Sequence, residues 1–449
     1  MRRPVIMWFR RDLRLADLPA LHDAAADGAP VVPLFVVDPA FARSGEPRRA
    51  FMAAALAALD RSIEGALVYR HGDPVEVVPR LVTELGAERV VVSRDYGPYG
   101  RRRDAAVAAA VRSVGAGFQG VGSPYAVQPG RVAKADGTPY AVFTPFSKAW
   151  RALDRGAPTG VPDVTWMGAP TIACDGPPAA VTVDADLSGA SERAAHDRWA
   201  SFLPEVDRYD EVRNLPGVDG TSRLSAALRW GLVHPRQLCA DLGPVRGHDV
   251  FTSELAWREF YADVLFHQPH SAWQNLNPKM NAMPVDDDEA ARARFRRWAD
   301  GTTGFPIVDA GMRQLVATGW MHNRVRMLVA SFLVKDLHLP WQWGAAHFMR
   351  HLIDGDLASN SHGWQWTAGT GTDAAPYFRV FNPTTQALRF DPEGDYVRCW
   401  VRELSGFQGA AVHTPGRSAA GEYPAPMVDH GVEREEALAR YRSAMAGSR

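Results

Sequence analysis

The chain has 449 residues, 10% of them aromatic, and its 50 Lys and Arg against 51 Asp and Glu leave a formal net charge of -1. That length allows two or three domains with full cores, while the charge balance excludes strong nonspecific attraction of the whole chain to nucleic acid and leaves only local basic patches. Three widely spaced cysteines (Cys174, Cys239 and Cys399) argue for a reducing compartment, against a disulfide framework and against a Cys-based metal site. The opening MRRPVIMWF passes straight into a strand pattern without a leader-like apolar run, and no segment reaches membrane-spanning length without charges. A cytoplasmic, monomeric protein without a metal or membrane partner is expected.

Residues 4–128 alternate short β-rich runs with Ala-rich helical ones. The pattern predicts strands at 5–9, 31–37, 66–69 and 89–93, a weaker strand at 118–121, and helices at 18–27, 48–62, 73–85 and 101–114. Asp73-Pro74 supplies an N-cap and a first-turn proline. Such alternation predicts an α/β domain over 1–128, a doubly wound, Rossmann-like parallel sheet with ligands at the carboxyl ends of its strands. No G-x-G-x-x-G or Walker sequence follows a strand, so neither familiar nucleotide pocket is indicated. Arg10-Arg11-Asp12-Leu13-Arg14 after the first strand is either an anion site or a solvated turn closed by ion pairs, and both readings stay open.

From 129 to 190 the pattern dissolves into Pro, Gly and Asp, as in a long connector over the surface. Helical periodicity resumes at 192–203 and dominates to about 408. The all-helical domain expected over 191–449 holds eleven of the fourteen tryptophans. The charged helix expected over 431–445 reads as a surface tail.

Three stretches of the helical part carry polar groups suited to chemistry. Gly220-Thr221-Ser222-Arg223-Leu224-Ser225 precedes a helical run, where hydroxyls and backbone N–H groups suit a phosphate, although on its own the stretch is better explained by an ordinary Ser/Thr cap with Arg223 solvated. Glu254 and Trp257 share a helical face, as a carboxylate and a stacking ring for a base would, or as a half-buried Trp beside a surface Glu. The third stretch, 301–366, predicts a helix over 320–335. It threads Asn323, Arg324, Arg326, Asp354, Asp356 and Asn360 among Trp320, Trp341, Trp343, Trp364 and Trp366. Helix interiors exclude unpaired groups of this kind. Either a bundle with buried ion pairs or a planar, polar-edged cofactor between helices accounts for them, and Arg326 and Asp354 are placed to pair.

The runs WFRRDLRL, VFTPFSKAW, GTSRLS, SELAWREFY and the stretch 301–383 together resemble the photolyase/cryptochrome family, specifically the class I cyclobutane pyrimidine dimer photolyases of microbes. The resemblance covers almost the whole chain. It implies a U-shaped FAD, active as FADH⁻, in the helical domain of a carbon–carbon lyase that splits pyrimidine dimers in DNA under blue or near-UV light. It implies that Tyr209 and the turn Thr221, Ser222, Arg223, Leu224 and Ser225 hold the phosphates. Phe251, Arg258, Trp320 and Arg326 would line the cofactor, Asp354 and Asp356 would serve its ring and adenine side, and Asn360 would face flavin N5. Glu254 and Asn323 would contact the flipped dimer, with Trp257 and Trp366 as an apolar wedge and Met327 beneath. Protonated Glu254 would hydrogen-bond the dimer radical anion. Arg324 and Arg379 would take DNA phosphates. The alternative is a cryptochrome-like blue-light photoreceptor without repair activity; a (6–4) repair enzyme fits less well because His322 stands alone.

Three departures from the family pattern stand out. Phe251 replaces a tryptophan common among relatives. Trp364 and Trp341 match the proximal and middle members of a three-tryptophan electron relay, but the stretch KMNAMPVDDDEA, with Val285 in the slot, lacks the distal one. Flavin photoreduction is then weak or takes another route through Tyr261, Trp273, Trp298 or Trp343. Finally, Tyr96-Gly97-Pro98-Tyr99-Gly100-Arg101-Arg102-Arg103-Asp104, with Trp8, Phe9, Arg10 and Phe35, resembles members that bind an 8-hydroxy-5-deazaflavin antenna, with an empty pocket or a second flavin as alternatives.

Overall fold

The computed structural model describes residues 2–169, 171–372, 379–416 and 421–446. The chain divides into two compact units. One comprises residues 1–140, 144–204 and 222–269; the other comprises 141–143, 205–221 and 270–449.

The first unit is built on five strands: β1 (Val5–Phe9), β2 (Val31–Val37), β3 (Val68–His71), β4 (Arg89–Val92) and β5 (Gly117–Gly120). All pairings are parallel, in the order β3-β2-β1-β4-β5, so the chain reverses direction across the sheet at β1 and β4. β1 is buried at all five positions, as its unbroken apolar run VIMWF requires of a strand covered on both faces. Helices α1 (Pro19–Ala25), α2 (Glu46–Ser62), α3 (Pro74–Leu85) and α4 (Pro98–Ser113) alternate with the strands. Asp73 caps α3 as anticipated, accepting from the Val75 N–H at 2.9 Å. The predicted α/β class is therefore found. Strand β3 starts two residues late because Asp60 Oδ1 takes the Leu67 N–H and the Ile63 carbonyl takes that of Ala66, ending α2 instead of opening the ladder.

The connector is more ordered than its composition predicts. Helix α5 (Phe143–Ala152) lies within it and buries Phe146 and Trp150. Helix α6 (Glu192–Phe202) comes next; α7 (Tyr209–Val212) belongs to the second unit, while α8 (Ser225–Trp230), α9 (Pro235–Ala240) and α10 (Arg246–His267) complete the first. Glu259 on α10 is buried and accepts from the Ala126 and Val127 N–H groups and, at 2.6 Å, from Trp150 Nε1. One carboxylate thus ties the start of the connector and its helix to α10.

The second unit is helical: α11 (Glu289–Ala299), α12 (Pro306–Thr318), α13 (Asn323–Ser331), α14 (Trp341–His351), α15 (Leu357–Ala368), α16 (Pro383–Phe390), α17 (Asp395–Trp400) and α18 (His430–Ala446). The helix expected over 320–335 is found but begins only at Asn323. Gly319 ends α12 in the left-handed conformation, and Trp320 sits in the turn with its N–H on Thr318 Oγ1. His322 then caps α13 by accepting the Arg324 N–H at 3.1 Å. Past Ser331 the helix widens into a π-helical turn, Phe332–Asp336, in which the Leu337 N–H reaches the Phe332 carbonyl. Nor is α18 a loose tail. It buries Ala437 and Ala444, His430 bonds Asp336, His338 bonds Glu433, and Arg440 bonds Asp286 and Glu436.

Candidate functional site

In the helical unit, α13 and the segment before α15 bring Arg326 and Asp354 together. The guanidinium engages the carboxylate in a fork, at 3.3 and 2.8 Å, while Arg326 Nε donates to the Met321 carbonyl at 2.8 Å. The Asp354 side chain is 2% exposed and that of Arg326 24%. A buried carboxylate is thus matched by an arginine whose outer edge stays accessible, which leaves positive potential for an anionic or electron-rich ring. Two residues on, Asp356 caps α15: its Oδ1 accepts the Ser359 N–H at 3.1 Å. Asn360, one turn into α15, donates Nδ2 to the Ala345 carbonyl at 3.0 Å. That bond fixes the amide and aims its acceptor oxygen away from α14.

Trp364 is buried against α14, and the reason lies at Gly344. A Cβ there would stand 2.1 Å from the Trp364 ring, so only glycine admits the indole this close to the helix backbone. Trp364 meets Phe348 edge-on at 5.1 Å and Trp298 at 6.1 Å between ring centroids. Trp341 starts α14, is buried, and donates Nε1 to Asn275 Oδ1 at 2.8 Å. Trp298 reaches Trp343 through Phe295, at 5.5 and 5.6 Å. Of the alternative relay rings, Trp298 and Trp343 are therefore linked to Trp364 by ring contacts, while Trp273 is mostly exposed. Burial lowers His347, whose ring lies 5.4 Å from that of Trp298, to about 3, so it stays neutral and places no positive charge beside this indole.

Of the other predicted residues in this unit, Arg324 donates twice to Asn214 Oδ1, at 3.2 and 2.7 Å, and lies over the Phe390 ring; its Nη1 is 3.8 Å from the Met327 sulfur. Asn323 and Arg379 are exposed, Trp320, Met327 and Trp366 half-buried. Tyr209, at the start of α7, is buried with Arg213 over its ring. Thr221 is half-buried.

In the sheet-bearing unit, Ser222 to Ser225 lead into α8, with Arg223 in the left-handed region at φ 54°. Such a backbone turns successive N–H groups outward. Arg198 Nε holds the Ser222 carbonyl at 2.9 Å, and Ser222 Oγ accepts the Leu224 N–H at 3.4 Å. Helix α10 carries Phe251, Glu254, Trp257 and Arg258. Phe251 is buried against Trp199 at 5.3 Å, and Trp257 packs on Tyr261 at 5.4 Å. Arg258 donates to the Pro124 and Leu228 carbonyls and covers the Tyr125 ring.

At the carboxyl edge of the sheet, Arg10 and Arg103 both bond Asp104, and their guanidiniums cover Trp8 at 5.0 and 5.1 Å. Tyr99 donates to Asp38, and Phe35 meets Tyr69 edge-on. The space left among Arg10, Arg11, Ser93, Asp95 and Pro124 is about 10 Å³, room for about one water. Ion pairs thus tie the side chains of this cluster together.

Sequence reasoning missed Gly344, Asn275, Asn214 and Glu259. A lone glycine, two loop asparagines and one of many helical glutamates carry no periodic signal. Among the described residues no three His, Cys, Asp or Glu side chains could hold a metal, and no helix is long and apolar enough to cross a membrane.

A parallel sheet followed by helices with this polar interior is the architecture that two family models describe. Residues 5–163 match DNA photolyase and residues 251–443 the FAD binding domain of DNA photolyase. The chain is 38% identical to the deoxyribodipyrimidine photo-lyase of Halobacterium salinarum, over 98% of this chain and 99% of that one. It is 40% identical to that of Streptomyces griseus, with 98% of each covered. Among solved structures, a bacterial class III photolyase from Agrobacterium tumefaciens superposes with a TM-score of 0.89 at 36% identity, covering 99% and 98% of the two chains. A Synechocystis cryptochrome has the same TM-score at 27% identity, covering 97% and 98%. The chain belongs to the DNA photolyase family.

Proposed function

We propose that the protein repairs cyclobutane pyrimidine dimers in DNA by light-driven electron transfer, as a deoxyribodipyrimidine photo-lyase. What carries the reading is the full-length likeness to proteins of that name at 35–40% identity, with the Arg326–Asp354 fork, Asn360 and Trp364 inside the stretch that matches an FAD-binding domain. Bound as FADH⁻, the flavin supplies the electron that opens the cyclobutane ring. The chain's residues do the rest. Arg326, neutralised only in part by Asp354, balances the ring's negative charge, and the Asn360 acceptor suits the N5–H of a reduced ring. Asp356 serves the adenine side, with Phe251, Arg258 and Trp320 along the cofactor and Tyr209 and Thr221 to Ser225 on its phosphates. Glu254 and Asn323 hydrogen-bond the dimer, Trp257 and Trp366 flank it and Met327 underlies it. Flipping a dimer is cheaper than flipping an ordinary pair because its rings stack poorly. Arg324, preoriented by Asn214 and Phe390, and the exposed Arg379 take phosphates, with the salt dependence this entails. Trp364 and Trp341 return electrons to oxidised flavin.

The antenna is a finer matter. The arginines and aromatics around Trp8 suit 8-hydroxy-5-deazaflavin in kind, and repair does not depend on it. Separation of the chromophores released from purified protein identifies what is bound. The cryptochrome-like reading draws on the 0.89 TM-score to a cryptochrome. Dark binding of a dimer-containing oligonucleotide, and a fall in repair yield per absorbed photon in Glu254→Ala, support repair; no preference for the dimer and no repair under light would leave the photoreceptor.

A further inference from the structure

A cavity of about 270 Å³ lies in the helical unit, and Trp341 forms part of its wall. Met280, Met283 and Val285 supply apolar lining, and Asn275 and Thr370 supply polar groups. Val285 is 45% exposed and Trp341 5%, so the cavity carries a path from the surface to a tryptophan that water otherwise barely touches. An apolar cavity of roughly 150 Å³ is enough for benzene, so this one has room for a substituted aromatic ring. Two thioethers favour that occupant, since methionine sulfur packs well on ring edges. The polar side is pinned: Asn275 accepts from Trp341 Nε1 at 2.8 Å and donates Nδ2 to Asn281 Oδ1 at 2.9 Å. Asn275 thus engages its oxygen and one amide hydrogen within the fold. On the outer side, Arg440 of α18 is held by Asp286 and Glu436 at 2.7 Å each, which fixes that wall.

We propose that this cavity binds a small phenol that serves as the terminal electron donor to Trp341. The inference rests on the reading of Trp364 and Trp341 as a relay. Trp364 gives one electron to the light-excited oxidised flavin, and Trp341 refills Trp364. The phenol then gives one electron to the Trp341 radical cation and releases its hydroxyl proton to water at the mouth. One electron leaves the phenol for each electron delivered to the flavin, and the phenoxyl radical departs. The ring that Val285 does not supply is thereby taken from solution.

The test uses the full-length, FAD-loaded protein and 4-methylphenol. Saturation-transfer NMR in the dark reads binding, and flash photolysis reads the decay of the Trp341 radical against phenol concentration. The proposal expects saturable dark binding and a decay rate that saturates over the same concentrations. Val285→Trp, which fills the cavity from its exposed rim, should weaken dark binding by about tenfold or more and make the decay indifferent to phenol. No dark binding, with a decay rate linear in phenol as for chance collisions, overturns the site. Binding accompanied by flavin photoreduction unchanged in Trp341→Phe overturns the donor role and, separately, the relay reading.

Discussion

Buried polar groups serve opposite ends in different parts of the molecule. In the sheet-bearing unit Glu259 spends its oxygens on three donors of the same unit. Burial raises its pKa, and those donors pull it back toward the carboxylate. Asp309 in the helical unit is of the same closed kind, taken up by Thr303, Gly304 and Tyr423. Arg326, Asn360 and Trp364 differ, because each is pinned on one side only. The Trp364 indole N–H is buried without a partner among the described residues. Closed networks hold a fold together, and half-closed ones are what a ligand completes.

The sharpest way to break this contrast is Arg326→Met, which strands the buried Asp354 carboxylate. We expect a loss of about 3–5 kcal/mol of stability together with loss of bound flavin, read by urea unfolding and visible absorbance; a variant that keeps its flavin contradicts the half-closed reading. Glu259→Ala leaves three donors unpaired and should cost about 3 kcal/mol, yet the protein that remains folded should keep its flavin and its repair yield per photon. Gly344→Ala drives a Cβ into the Trp364 ring. Overpacking of this kind costs about 1–3 kcal/mol, and displacement of the indole should slow flavin photoreduction more than repair from reduced flavin.

The smallest effect is a pH slope. Burial lowers Lys335 to about 7 from an ordinary 10.5. Between those values the unfolded chain binds a proton that the folded one does not, so stability rises with pH across that window. Lys335→Met should remove up to about 1.4 kcal/mol per pH unit of that rise, seen by comparing urea midpoints at pH 7 and 9. An unchanged slope would mean that the Lys335 ammonium stays charged in the fold.

Legibility in the sequence divides along similar lines. Strands β1 and β2 have the bounds their apolar runs predict, since a strand buried on both faces is a continuous signal. Helix α5 is hidden from such a reading because only Phe146, Ser147 and Trp150 are buried, too few to mark a face. The helix α18 is legible, but its docking is hidden because its buried face is two alanines under a charged exterior. The late start of α13 is hidden because the His322 side chain caps it after a turn through Trp320 and Met321. In the site, the Arg326–Asp354 pair is legible as two charges in an apolar stretch, whereas Gly344, Asn275 and Asn214 act through close approach or a single hydrogen bond, which leave no pattern.

The π-helical turn at Phe332–Asp336 lets one residue more than an α-helix allows fit between Ser331 and the loop to Trp341. Each residue of an α-helix advances the facing direction by about 100°. Deleting one residue here would restore regular winding at the expense of phase: Lys335, Asp336 and the loop beyond them would come round nearly a third of a turn out of step. The swelling therefore works as a timing offset between the helix that bears Arg326 and the one that begins with Trp341, and shortening it should put the two out of alignment while each stays well wound.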